Sequence, residues 1–242
     1  MRQTLLAFIK NFRSFLWRTF HKDNPKLPYI IIIFVAFIAV VGGLNLFIEL
    51  TDELSDDMLD QYDQQITDFV IAHRSPPFTQ YFIFMTNVGD FYGYLIVLIL
   101  AFIISLVFFK NWRYIAQTLL VLLLASISNT MLKRFIDRAR PGIEHLVSVE
   151  TLSYPSGHAM SAMAFYGFLI YLFYTFKMNS WLKYSIIVLL LFIILSIGIS
   201  RIYLGVHFPS DIAGGYIAGL IWVFFCILIF NLAEVFRRDP EA

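Results

Sequence analysis

Six stretches of the chain are apolar over roughly the 20 residues that a helix needs to cross a hydrocarbon core. They run from Leu27 to Ile48, Phe91 to Phe109, Tyr114 to Leu132, Ala159 to Phe176, Leu182 to Ser200 and Ile212 to Leu232. None alternates as a barrel strand would, and open strands cannot leave unpaired edges in lipid. The pattern therefore predicts an all-α integral membrane bundle of six transmembrane helices. Two further segments have helical spacing without spanning length. Near the start, Leu5, Phe8, Ile9, Phe12 and Leu16 recur every three or four residues with basic residues between them, as in a helix lying on a membrane face. Between the first two spans, Ile66, Phe69 and Val70, then Phe78, Tyr81, Phe82 and Met85, form two stripes separated by Pro76 and Pro77. These read as interfacial amphipathic helices whose stripes pack as a cover near the lipid boundary. No internal repeat is present.

Charge orients the bundle, because Lys and Arg in short flanks favour the cytoplasm. Arg2, Lys10, Arg13, Arg18, Lys22 and Lys26 precede the first span, whereas the acidic loop from Glu49 to Asp90 holds only Arg74. Lys110 and Arg113, Lys177 and Lys183, and Arg237 and Arg238 then fall on alternate turns and the final tail, so both termini are expected in the cytoplasm. Lys10 and Arg13 also break the first apolar segment, which argues against a signal peptide. The chain divides into a basic amphipathic tail, 1–26, a six-span domain, 27–233, and a short tail, 234–242. At 59% apolar residues and 14% charged among 242, its solvent is lipid. A net charge of +1 provides no field for nucleic acid. The single cysteine, Cys226, sits in an apolar run and has no partner for a disulfide.

One segment breaks the charge rule. The loop from Lys133 to His158 should lie outside, yet it opens with Lys133, Arg134, Arg138 and Arg140. Lys133 and Arg140 are seven apart, two helical turns, and Pro141 then stops the helix. On the same side, Pro155-Ser156-Gly157-His158 immediately precedes the fourth span, where a glycine and the free amides of a helix start make an anion-binding arrangement. The third cluster is Ser200-Arg201 followed by His207 and Asp211, whose spacing of four brings a carboxylate to an imidazole. Lys133, Arg140 and Arg201 are three cations for the oxygens of a phosphoryl group, with the Ser156 hydroxyl and Gly157 amide beside them. Two histidines supply what phosphoryl transfer then needs, a nucleophile and a proton donor, and the chemistry requires no metal or other cofactor.

These residues are similar to the signature of the type 2 phosphatidic acid phosphatase superfamily, which includes vanadium haloperoxidases and soluble bacterial acid phosphatases. Its pattern is Lys, six residues, Arg-Pro; Pro-Ser-Gly-His; and Ser-Arg, five residues, His, three residues, Asp. This chain matches it at Lys133, Arg140 and Pro141, at Pro155, Ser156, Gly157 and His158, and at Ser200, Arg201, His207 and Asp211. The resemblance implies that His207 attacks phosphorus, that Asp211 orients it, and that His158 protonates the leaving group. Lys133, Arg140, Arg201, Ser156 and Gly157 would bind the phosphate. The choice of His207 over His158 as nucleophile rests mainly on the family and on Asp211. With six spans, the resemblance points to the membrane branch. It implies a metal-independent lipid phosphate phosphatase of the plasma membrane, with its site on the extracellular or periplasmic face. Undecaprenyl diphosphate, phosphatidylglycerol phosphate and phosphatidic acid are the substrates that the family suggests. The expected partners are thus a lipid phosphate and the bilayer, with no nucleic acid and no obligate protein.

A phosphotransferase passing the phosphoryl group to a second lipid shares the first half of this reaction. A haloperoxidase suits the membrane setting poorly, and a binding or transport protein has no need of a nucleophile with an orienting carboxylate. Among nearby residues, Asp137 is expected to pair with Lys133, Arg134 or Arg140. Arg134 and Arg138 are expected to meet headgroups or carboxylates, and would be the extra cations for a diphosphate. His21, His73 and His145 read as solvated, and Ser126 and Asn129 as packing hydrogen bonds between helices.

Overall fold

The computed structural model describes residues 26–56, 58–104, 112–148 and 152–237, and its regular structure there is entirely helical. In chain order the helices are α1 (Leu27–Ser55), α2 (Asp60–Ala72), α3 (Pro76–Val88), α4 (Phe91–Ile104), α5 (Arg113–Ile136), α6 (Gly157–Thr175), α7 (Ser180–Tyr203) and α8 (Pro209–Arg237). The basic amphipathic segment expected near the start, with His21, lies outside the described residues.

The chain forms two compact units, one of residues up to Val41 together with those from Phe224 onward, the other of Gly42–Val223. In the first, Cys226 is buried and unbonded. Ile31, Phe34, Val35, Phe37 and Ile38 all stay exposed, as side chains do when their solvent is lipid.

The second unit is built around α6, which packs between α5 and α7. Phe165, Tyr166 and Phe168 are fully buried on it. Its contact with α8 is close because α8 carries glycines there: a Cβ on Gly219 would stand 2.5 Å from the Met160 carbonyl. α3 begins at Pro76, a residue whose fixed φ suits a first helical turn, and it meets α4 at a 62° bend across Gly89–Asp90. α2 and α3 lean on α7, where Val70 and Phe82 pack on the cluster of Tyr203, Leu204 and Val206.

Among the described residues, α1, α5, α7 and α8 are long and apolar enough to cross a membrane, and the bent α3–α4 pair makes a fifth if it counts as one span. The expected second span is described only as far as Ile104. The expected fourth, α6, is covered by protein along most of its length, which accommodates His158, Ser161 and Tyr166, while Tyr174 near its end is exposed. The stripe on α2 faces inward only in part: Val70 packs on protein, but Ile66 and Phe69 are exposed, whereas the polar Asp63 and Thr67 are buried.

Candidate active site

His207 lies in the short segment between α7 and α8, which doubles back because Gly205 adopts φ +80, a left-handed conformation that a side chain would strain. The Arg201 carbonyl anchors that segment by accepting from Val206 N at 3.1 Å and His207 N at 3.3 Å. The His207 ring is buried, with Asp211 Oδ2 3.3 Å from Nδ1 and Arg140 Nη1 3.3 Å from Nε2. A guanidinium only donates, so Nε2 is the accepting nitrogen and Nδ1 carries the proton given to Asp211. The lone pair thus faces the cations. Burial drives the pKa of the ring down to about 4, although the Asp211 carboxylate pulls the other way. His207 is therefore neutral near pH 7.

Each oxygen of Asp211 has its own partners. Oδ2 accepts from Ser153 Oγ at 2.5 Å and Phe208 N at 2.8 Å besides facing His207, while Oδ1 accepts from Arg138 Nη1 at 2.7 Å. Arg138 also donates 2.7 Å to Asp63 on α2 and lies 4.6 Å over the Phe208 ring. Burial alone would lower this guanidinium, but Asp211 and Asp63 outweigh it and hold its pKa above the ordinary value.

The other two motifs close around this pair. Lys133, in the last turn of α5, and Arg140 both donate to the Leu152 carbonyl, at 2.7 and 3.3 Å. Arg140 donates a further bond of 2.5 Å to the Val206 carbonyl. Ser156 caps α6 by accepting from Ala159 N at 3.4 Å, and its own N–H donates 3.0 Å to the Asp211 carbonyl. Gly157 has a packing reason as well as an anionic one, since a Cβ there would stand 2.9 Å from Asn129 Oδ1. His158 feels the charges of Arg201, Lys133 and Arg140. All eight candidate residues are thus drawn to one place within the Gly42–Val223 unit.

Arg201 is buried in the last turn of α7, where Nη1 donates 2.6 Å to Thr86 of α3 while its buried Nε has no hydrogen-bond partner. A buried guanidinium N–H without an acceptor is costly. A phosphoryl oxygen is the kind of group that would satisfy it. From His158 a cavity of about 440 Å³ runs between α4, α5 and α6, past Asn129 and Ser126 to Phe91, Leu95, Leu98, Leu119 and Leu122. Its polar end is at the motifs and its far wall is apolar.

Several expectations change. Asp137 makes no ion pair with a described residue. It is exposed, and it ends α5 with φ 36, a turn that Asp tolerates better than most residues. Arg138 meets carboxylates as expected, but two of them hold it, so it is not the spare cation for a diphosphate. Ser126 bonds its own helix at Leu122 instead of a neighbour, because α5 borders the cavity there. Asn129 does bridge helices, donating 3.5 Å to Met160 Sδ on α6 and 3.1 Å to the Pro155 carbonyl just before it. His73 and His145 are exposed. Sequence reasoning missed Asp63, Thr86 and Ser153. Only Asp63 left a trace, as an acid seven residues before Val70 and four before Thr67, on the face that turns inward.

Residues 114–234 match the PAP2 superfamily. Phosphatidylglycerophosphatase B of Bacillus subtilis is 31% identical over 180 residues, which span 74% of this chain and 88% of that protein. The bacitracin transport permease protein BcrC of Bacillus licheniformis is 36% identical over 86 residues, 35% of this chain and 37% of BcrC. The solved structure of a transmembrane PAP2 type phosphatidylglycerolphosphate phosphatase from B. subtilis superposes with a TM-score of 0.71 at 25% identity, covering 84% of this chain and 98% of that one. LpxE of Aquifex aeolicus shares the fold, with a TM-score of 0.55 at 24% identity over 70% of this chain and 94% of its own. Half of this chain matches the family, and a relative aligns with it over most of its length. The chain belongs to the PAP2 superfamily, in its membrane lipid phosphatase branch, and is a phosphatase.

Proposed function

We propose that the enzyme removes the terminal phosphate of a membrane lipid through a phosphohistidine intermediate. The observation that carries this reading is the buried neutral His207, with its Nε2 lone pair turned to Arg140 and its Nδ1 proton held by Asp211. Nε2 attacks phosphorus and the P–O bond to the lipid breaks. His158 gives the leaving alkoxide its proton, and the positive phosphohistidine is stabilised by Asp211. His158 then takes a proton from water as that water attacks phosphorus, the P–N bond breaks, and inorganic phosphate leaves. Lys133, Arg140 and Arg201, with Ser156 and the Gly157 amide, bind the phosphoryl oxygens, and the unpartnered Arg201 Nε supports that role.

The apolar cavity that starts at His158 supports a leaving group with a hydrocarbon tail over a soluble phosphate ester. Arg138, tied to Asp63 and Asp211, is not left over for a second phosphate, which favours a monoester. Together with the name of the B. subtilis relative, this makes phosphatidylglycerol phosphate the first substrate to try, ahead of phosphatidic acid and undecaprenyl diphosphate. The charge pattern supports six plasma-membrane spans across residues 27–233, a basic tail of 1–26 and a short tail of 234–242 in the cytoplasm, and the site on the outer face.

Phosphate release by detergent-purified protein in chelator, from a panel of lipid mono- and diphosphates, tests the reading. Release by the wild type that added metal does not alter, and that His207→Ala abolishes, is expected. Equal release by the variant, or none by the wild type, would overturn it. A phosphate yield below the amount of dephosphorylated lipid would instead reveal transfer to a second lipid.

A further inference from the structure

Asp63 belongs to α2, a helix that carries none of the motif residues, yet its carboxylate is buried to 3% exposure. Its Oδ2 accepts from Arg138 Nη2 at 2.7 Å and from the Ser210 hydroxyl, and its Oδ1 accepts from Ser210 N at 2.9 Å. Both routes lead to Asp211. Arg138 bridges to Asp211 Oδ1 at 2.7 Å, and Ser210 is the residue next to Asp211 in the first turn of α8.

We propose that Asp63 is a positioning residue of the phosphatase reaction, dividing the Arg138 cation between two carboxylates so that Asp211 keeps the negative charge that His207 needs. The inference rests on His207 being the nucleophile. A carboxylate paired one-to-one with a guanidinium is close to neutral as seen by a third group. Two carboxylates around one guanidinium leave a net negative charge beside the imidazole, which favours the cationic phosphohistidine. Bonding by Asp63 to Ser210 also holds the start of α8, and hence the Asp211 side chain, against the His207 ring. The other charged or titratable groups acting on His207 are Arg140 after α5, Arg201 on α7, His158 on α6 and, near them, Lys133 on α5. Apart from His158 these are cations, so among the described residues the negative charges acting on His207 are Asp211 and, through Arg138, Asp63.

The test is the pH profile of lipid phosphate release by the full-length protein in detergent, for the wild type, Asp63→Asn, Arg138→Gln and the double variant. Asp63→Asn is expected to lower kcat about tenfold with KM little changed. It should move the acid limb of kcat/KM down by about half a pH unit or more, because His207 becomes harder to protonate. Arg138→Gln removes the cation and leaves both carboxylates, so its acid limb should move up. The double variant should lose less than the product of the two single losses, since the pair acts as one unit. A brace with no electrostatic part lowers thermal stability and leaves both acid limbs in place, and that result overturns the inference. So do limbs that move in the same direction, or losses that simply multiply. If Asp63→Asn does not fold, Arg138→Gln decides alone: an upward shift supports the inference and an unmoved limb overturns it. No release by the wild type on any lipid would instead overturn the phosphatase reading itself.

Discussion

His207 illustrates how much is decided around a single side chain. A histidine in water is partly protonated near its ordinary pKa, but this ring is buried, and its pKa falls to about 4. As pH rises through about 4 the ring loses its proton and becomes nucleophilic, so kcat/KM should rise with that midpoint and stay level toward neutrality. A midpoint near 6.5 in the pH profile would show that the ring is solvated in the working enzyme. The same shift has a stability consequence. Between about 4 and 6.5 the unfolded chain binds a proton that the folded one refuses, so this group makes the fold less stable as pH falls through that window, which thermal unfolding in detergent against pH would detect. Arg201 offers a second test. Lysine keeps the charge but has no Nε–H, and it lacks the fixed, separated donors with which a guanidinium can hold Thr86 through one nitrogen and face a phosphoryl oxygen with another. Arg201→Lys should lower kcat/KM on a lipid monophosphate by about a hundredfold, and wild-type activity would remove Arg201 from phosphate binding. Histidines, cations and the orienting carboxylate were all readable from motif spacing. Ser153 was not, because a serine in a loop acquires meaning only when the chain folds its hydroxyl onto Asp211.

At the level of elements, α6 and α8 hold the second and third motifs in register, and the contact is set by glycine. Beyond the 2.5 Å to the Met160 carbonyl, a Cβ on Gly219 would meet the Met163 Cβ at 2.8 Å, and neither atom is a flexible side-chain tip. Gly219→Val should therefore destabilise the protein by about 1–3 kcal/mol through overpacking. The accompanying shift of α8 should reduce activity, because Ser156 N bonds the Asp211 carbonyl across the same contact. An unchanged melting temperature in detergent would show that the helices sit farther apart. The α2 and α3 stripes were legible as helices, bounded by Pro76, and wrong in part as to facing. Hydrophobic periodicity finds a helix in any solvent but reports its inner face only when the outer face meets water.

For the whole molecule, sidedness is the property that the charge pattern predicts most directly. Single cysteines at His145 and at Lys177 should separate in intact cells: the first should react with a membrane-impermeant maleimide, the second only after permeabilisation. Cys226, buried, should stay silent in both. Labelling in the opposite sense would invert the proposed topology and move the phosphatase site to the cytoplasmic face. The sequence by itself determined that the chain is helical, that lipid is its solvent, and which motif residues the fold then gathers in one place, because span length, charge segregation and motif spacing are local properties. Tertiary structure alone decided that α6 is enclosed by protein, that Arg138 serves two carboxylates and so is not a spare cation, that Asp137 ends a helix unpaired, and that Asp63 stands behind Asp211. These depend on which distant groups a buried charge meets. A buried charge takes the partners that packing brings to it, and no spacing along the chain encodes them.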